Sequence, residues 1–263
     1  MFKRKRLILV FSLVIALVLF SAGFVRGKYV VPVVMYHSVN PAASRKTMLA
    51  VTPETFERQM RFLKNNRYNV ITLQELTGLI RDNKKIPGRT IAITLDDGYK
   101  DNYTYAFPVL KKYNLSATIF IIVNEVGRPQ ADRLSWEEIK IMRDSGLIIF
   151  GSHCLGPEPL TKIQSEDEVR NQIFVSRQIL EKKIGRKVDV FSYPEGRFNA
   201  KIRQLVIDAG YLAAVATNPG KRYPSNDVFA LKRLRISENA ANMFIFWVET
   251  SGFYTFMKEW RKK

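Results

Sequence analysis

The sequence predicts a parallel α/β fold closed into a barrel. Three observations carry that expectation. Strand-like apolar runs alternate with helix-like segments across residues 30–236, the pattern of a parallel sheet wrapped by helices. Polar clusters follow the strands: Tyr36-His37, Asp96-Asp97, Ser152-His153, Tyr193-Pro194 and Thr217-Asn218. Barrel enzymes build their sites at that strand end, and five clusters spread around the sheet favour closure over the single switch point of an open sheet. No glycine-rich nucleotide fingerprint or Walker motif is present.

The elements follow in order. Residues 30–35 read as the first strand. Thr52-Pro53 opens a helix with proline at its first position, and Phe56, Met60 and Leu63 form its apolar face. Residues 68–71 read as a short strand. Thr72-x-x-Glu75 is a capping box for a helix that turns Leu76, Leu79 and Ile80 inward. Residues 90–95 form the next strand. A helix over 103–113 leads to the β-branched strand 117–123. Ser135-x-x-Glu138 caps a helix that stops at Gly146. The strand 147–150 precedes Gly151-Ser152-His153. Ser165-x-x-Glu168 caps a long helix ended by Gly185, and the strand 188–191 follows. Asn199 caps a helix ending at Gly210, and the strands 212–216 and 229–236 complete the series.

Composition sets the class. A hydrophobic content of 46% with 12% aromatics belongs to a folded chain with a sizeable core. The chain divides into a leader at 1–28, a barrel at 29–240 and an aromatic, basic tail at 241–263. In the leader, Lys3, Arg4, Lys5 and Arg6 precede an uncharged run at 7–25. Nineteen helical residues rise about 28 Å, close to the hydrocarbon thickness of a bilayer. The expectation is one uncleaved transmembrane signal anchor, with a cleaved signal peptide as the alternative. Four basic residues before the run against Arg26 and Lys28 after it place the amino terminus inside. The barrel is then held on the extracytoplasmic side of the cytoplasmic membrane, or secreted if the leader is removed.

Net charge is +18. Such a chain is drawn to polyanions, and outside a membrane these are anionic lipids or glycans. The basic residues are scattered rather than striped, so no nucleic-acid partner is expected. No protein partner is inferable. Cys154 is the only cysteine, which excludes an internal disulfide, and His37 and His153 are the only histidines. In the tail, Phe244, Trp247, Tyr254 and Trp260 are among the aromatics that pack a terminal cover, stack on sugars or anchor at an interface.

Thr94-Leu95-Asp96-Asp97-Gly98 is the most informative stretch. Two adjacent carboxylates at the end of a buried strand are costly to desolvate unless something pairs with them. Neighbouring strand side chains point to opposite faces, so both can aim at one site only where the strand stops. One aspartate can then bind a metal while the other acts as a base. A plain turn with solvated aspartates has the same spacing.

Together these stretches resemble the polysaccharide deacetylase family (NodB-homology, carbohydrate esterase family 4). Met35-Tyr36-His37-Ser38-Val39 resembles its opening strand. Thr94-Leu95-Asp96-Asp97-Gly98 resembles its T-F-D-D-G motif, Gly151-Ser152-His153 its G-S-H-T-x-x-H-P motif, and Phe191-Ser192-Tyr193-Pro194-Glu195-Gly196 its F-x-Y-P-x-G variant. The resemblance implies a distorted (β/α) barrel and metal-dependent removal of acetyl groups from an N-acetylated glycan. It implies Asp96 as general base, and Asp97 and His153 as ligands of a divalent metal, zinc or similar. It puts Tyr193, Pro194 and the Glu195 backbone N–H beside the acetyl carbonyl. His37 is a candidate general acid, Trp136 a candidate wall of the site, and Arg233 or Arg235 a candidate support for an aspartate.

This chain departs from the family pattern at the second histidine. Four residues after His153 stands Pro157, followed by Glu158, and no histidine follows His153 anywhere. Three readings result. Glu158 or water replaces the lost ligand and the enzyme works; the barrel binds glycan without hydrolysing it; or the site performs another reaction on a sugar. Adjacent carboxylates do not suit a glycosidase, whose pair flanks the bond about 5 Å or more apart.

Overall fold

The computed structural model describes residues 29–260 apart from 47, 129, 131 and 218–222. Its elements in chain order are β1 (Val33–Tyr36), β2 (Ser38–Val39), β3 (Ala50–Val51), α1 (Pro53–Asn65), β4 (Asn69–Val70), α2 (Leu73–Arg81), β5 (Thr90–Leu95), α3 (Phe107–Tyr113), β6 (Ala117–Ile121), α4 (Trp136–Asp144), β7 (Ile148–Ser152), α5 (Glu166–Ile184), β8 (Val190–Ser192), α6 (Ala200–Asp208), β9 (Ala213–Ala216), β10 (Leu231–Arg235), α7 (Met243–Glu249) and α8 (Tyr254–Trp260).

Seven parallel strands close on themselves. Their order is β1-β10-β9-β8-β7-β6-β5, and β5 pairs back onto β1 from Ala92 to Leu95. β4 joins only the first two residues of β5, at Thr90 and Ile91, so it extends one edge without entering the ring. That partial eighth strand is the distortion of the barrel. The expected helix at 103–113 begins as a π-helical turn, Asn102–Ala106, before α3. The predicted capping boxes at Thr72/Glu75 and Ser135/Glu138 are formed, with both reciprocal hydrogen bonds present. Ser165 and Asn199 cap α5 and α6 as expected.

Alternation along the strands sorts the side chains into two layers. Val33, Ala92, Phe120, Val190, Val215 and Leu231 form one cluster, which fills the barrel. Gly151 leaves room there, since a Cβ would lie 2.5 Å from the Phe120 ring. Residues of the opposite parity, among them Val34, Tyr36, Ile93, Leu95, Ile119 and Phe191, pack between sheet and helices. The positions that continue the inner parity past the apolar floor are His37, Asp96, His153, Ser192 and Arg233.

The carboxy-terminal tail packs on the barrel. Phe246 is fully buried beside Phe62, and Phe253 meets Tyr29 edge-on. Among the described residues no helix is long and apolar enough to cross a membrane. The expected span at 7–25 lies outside the described residues.

Candidate active site

The inner parity brings Asp96, His153 and Arg233 to one cleft at the carboxyl ends of the strands, and Asp97 joins them there. β5 delivers Asp96, which is 2% exposed. Asp97 then takes a left-handed backbone, φ 70°, and Gly98 follows at φ 65°. This double left-handed step breaks the strand alternation, so the second carboxylate turns toward the same space as the first. Asp and Gly tolerate that conformation better than branched residues do. Cys154 at φ 70° ends β7 in the same way just beyond His153, and its thiol is buried, as a packed side chain rather than a ligand.

Asp96 is locked. Arg233 donates from Nη1 to Oδ1 and from Nη2 to Oδ2, each at 2.6 Å. This two-pronged pair is a strong, directional arrangement. Arg233 also donates to Ser192 Oγ at 2.9 Å and to Thr94 Oγ1 at 3.3 Å, and its guanidinium lies 5.6 Å from the Phe120 ring centre. Burial pushes the Asp96 carboxyl upward, but Arg233, aided by His153 and His37, overcomes this and holds it at about 2. Asp96 is therefore ionised at neutral pH.

His153 is oriented from behind. Its Nδ1 lies 2.8 Å from the Ser192 carbonyl oxygen. A carbonyl can only accept, so Nδ1 carries the hydrogen and Nε2 of the neutral ring carries a lone pair. Nε2 lies 3.4 Å from Asp97 Oδ1 and 3.9 Å from Asp96 Oδ2. Two lone-pair donors facing each other repel unless a proton or a cation lies between them. Two ligands about 2.1 Å from a tetrahedral ion stand about 3.4 Å apart, so the pair fits a divalent metal. The backbone hydrogen bond on the far nitrogen is the usual outer support of a metal-bound histidine.

A third protein ligand does not join them. Among the described residues no group of three His, Cys, Asp or Glu side chains converges to hold a metal ion. Pro157 lines the cleft where the family carries its second histidine, whereas Glu158 is not among the cleft residues and is exposed. The expected substitution of Glu158 for that histidine has no geometric support, because the Pro157 ring rather than the carboxylate faces the site.

Two further expectations shift, the first for reasons of strand parity and the second through helix packing. Tyr193 follows Ser192 and so points outward at its tip. Its hydroxyl donates to the Phe229 carbonyl at 3.1 Å, its ring stacks on Phe198 at 4.2 Å, and burial raises its pKa. It forms the edge of the cleft and offers it no free proton. Trp136 opens α4 and is not among the cleft residues; its ring packs against α5, with the Lys183 ammonium 5.5 Å away. Arg235 shares the inner parity of Arg233 and reaches the cleft, but it is exposed there. Pro194 and Glu195 also line the cleft. Glu195 stands at φ 54° and Gly196 at φ 68°, and a Cβ on Gly196 would lie 2.5 Å from the Thr217 backbone nitrogen.

His37 reaches the cleft with a buried Nδ1 that has no hydrogen-bond partner. Burial lowers its pKa, against the opposing pull of Asp96 and Asp97. Three further residues belong to the site. Ser192 touches Arg233 and orients His153; the signal was its parity with Val190. Tyr99 and Arg133 pair through an isolated bridge, with the guanidinium 4.0 Å over the ring, and both line the cleft. Nothing in their local sequence marks them.

Comparison with known proteins places this arrangement. The polysaccharide deacetylase family model matches residues 83–214. YxkH of Bacillus subtilis, provisionally named a polysaccharide deacetylase, is 32% identical over 206 residues, covering 78% of this chain and 71% of its own. A poly-β-1,6-N-acetyl-D-glucosamine N-deacetylase of Staphylococcus aureus is 28% identical over 201 residues, covering 73% of this chain and 69% of its own. The Streptococcus pyogenes deacetylase PplD, solved with acetate, superposes with a TM-score of 0.75 at 26% identity, over 82% of this chain and 96% of its own. A polysaccharide deacetylase from Bacillus cereus superposes at 0.70 and 31% identity, over 82% and 68%. On the matched motifs, the closed seven-stranded barrel and these relatives, the chain belongs to the polysaccharide deacetylase family, hydrolases of carbon–nitrogen bonds other than peptide bonds.

Proposed function

We propose that this chain is a metal-dependent N-deacetylase acting on an N-acetylglucosamine polymer at the cell surface. The observation that carries the reading is the facing pair, His153 Nε2 and Asp97 Oδ1 at 3.4 Å, beside a carboxylate that Arg233 keeps ionised. The Staphylococcus aureus relative is named for a β-1,6-linked N-acetylglucosamine polymer, and the Streptococcus pyogenes relative was solved with acetate, the small product of such a reaction.

Asp97 and His153 would hold the cation, with water completing its shell; the cation would polarise the acetyl carbonyl and make nearby water more acidic. Asp96 accepts the proton of the attacking water. With its carboxyl held at about 2, Asp96 is a weak base on its own and a strong acid once protonated. The proton it takes is readily passed to the departing amine. His37, neutral because burial disfavours its charge, is placed to donate or accept a hydrogen bond at the same cleft. The left-handed turn at Glu195-Gly196 presents backbone to the cleft beside Pro194, where an N–H can stabilise the oxyanion, worth about 3 kcal/mol per donor.

One observation favours a second reading, a glycan-binding barrel without turnover: Pro157 faces the site where the family has a ligand. A single experiment separates the two. Metal content of the full chain is measured alongside amine release from a β-1,6-linked N-acetylglucosamine oligomer. Asp96→Asn keeps metal and loses turnover; Asp97→Ala loses both. Wild-type chain that takes up no metal at saturation, yet binds the oligomer, ends the hydrolase reading.

The run at 7–25 is proposed as a membrane span with the barrel outside. A carboxy-terminal reporter that works only in the cytoplasm should stay silent; an active reporter there reverses the orientation.

A further inference from the structure

We propose that the amino-terminal face of the barrel, opposite the active cleft, docks on anionic phospholipid and holds the cleft pointing away from the membrane. The inference rests on the reading of 7–25 as a membrane span. Two features of the fold carry it further.

The first is a short tether. Tyr29 sits at the amino-terminal end of β1, bonded to the Thr90 carbonyl and packed on Phe253. Four residue steps separate it from Val25, the last residue of the apolar run. At 3.3–3.6 Å per residue the reach is at most about 14 Å. A spanning run therefore keeps this end of the barrel within about 14 Å of the hydrocarbon edge, in reach of the headgroups. The cleft lies at the other end of the strands, and six residues of β5 add roughly 20 Å of separation.

The second feature is what that end displays. A cavity of about 750 Å³ opens there, floored by Val31, Val33, Leu76, Ile80, Ile86 and Leu231. Lys84 and Lys85 stand at its rim. Lys84 pairs only with Asp82, a neighbour as exposed as itself, and such a pair is weak. The loops that lead into the strands at this end carry Arg67, Lys84, Lys85, Arg89, Arg186 and Lys187, all exposed, against Asp82, Asp189 and Asp227, the last paired with Arg203. An apolar cleft ringed by cations matches a lipid with an acyl chain below an anionic headgroup. Each basic residue held near an anionic surface strengthens binding about fivefold. A polyanionic glycan would satisfy the lysines but not the apolar floor, and the tether brings the face to lipid first.

The test uses the full chain in nanodiscs of phosphatidylcholine with or without 30% phosphatidylglycerol. Gly88→Cys places a polarity-sensitive fluorophore at the cavity, where a side chain meets nothing within 4 Å, and the native Cys154 is buried. Glu158→Cys carries the same label at the opposite end. With phosphatidylglycerol the label at 88 should shift to the blue and become accessible to a lipid-borne quencher, while the label at 158 should not. Adding Lys84→Glu and Lys85→Glu should abolish at least half of the shift. An incorporated chain whose label at 88 is indifferent to lipid charge, or keeps its full shift with both lysines reversed, overturns the docking and leaves the span intact. A chain that fails to incorporate at all overturns the span and the docking together.

Discussion

Arg233→Met is the sharpest perturbation of this fold. It removes the partner of Asp96, a carboxylate 2% exposed and bonded to both guanidinium nitrogens at 2.6 Å. Breaking a buried ion pair from one side leaves an uncompensated charge and costs about 3–5 kcal/mol. A domain of this size loses about 2–4 °C of Tm per kcal/mol, so the expected drop is roughly 6–20 °C. The double variant Asp96→Asn, Arg233→Met buries no charge. It should melt above Arg233→Met alone, though below wild type, because Ser192 Oγ and Thr94 Oγ1 also lose their donor. The same loss frees the Asp96 carboxyl to rise with burial, so the acid limb of the rate profile should move to higher pH. Thermal melts at pH 7 and a pH–rate profile read both effects. A Tm within 2 °C of wild type for Arg233→Met, or a double variant destabilised by the sum of its singles, would refute the reasoning.

The remaining predictions concern pH, backbone and ligand supply. Asp96 is held at about 2 against an ordinary 3.8, a difference of about 2 kcal/mol that is fully present above pH 3.8 and lost as pH falls toward 2. Denaturation of wild type and Asp96→Asn across pH 2–5 should therefore converge at the acid end. Glu249 behaves oppositely, because burial raises it to about 7 and its Oε2 is buried without a partner. Its contribution is complete below pH 4.5 and is lost as pH rises through 7, so Glu249→Gln should raise Tm at pH 8 relative to wild type and change it little at pH 4.5. Gly196→Ala would force a Cβ to 2.5 Å from the Thr217 nitrogen at a φ of 68°, and should lower Tm by several degrees while depressing turnover through the displaced Glu195 turn. Pro157→His should tighten metal binding at least tenfold, whereas Glu158→Ala should leave it unchanged; isothermal titration with zinc distinguishes them, and equal effects would mean that Pro157 does not face the metal.

Much of this protein is legible in its sequence. Capping boxes at Thr72 and Ser135 and the strand 90–95 are local features, decided by hydrogen bonds and periodicities within a few residues. The order of the strands and the motif order along the chain pointed to the closed barrel and to Asp96, Asp97 and His153. Side-chain direction was the harder matter. The family resemblance puts Tyr193 beside the acetyl carbonyl, and Trp136 at the start of its helix is a candidate wall of the site, but a strand reverses face at every step and the Trp136 ring packs on α5. One residue of parity separates Ser192, whose hydroxyl meets Arg233 behind the cleft, from Tyr193, whose hydroxyl turns away to the Phe229 carbonyl.

By itself the sequence determined which segments become strands and helices and where the carboxylates lie, because these depend on residue type and local spacing; the family resemblance added that Pro157 stands where a histidine is expected. Only the tertiary structure decided that Arg233 rather than Arg235 grips Asp96, that Ser192 orients His153, and that Glu158 stays outside the cleft. Those outcomes depend on which strands become neighbours and in what register. Closure of β5 onto β1, with β10 on the far side of β1, sets the height of Arg233 against Asp96 across 137 residues of chain. No local signal encodes a distance of that kind.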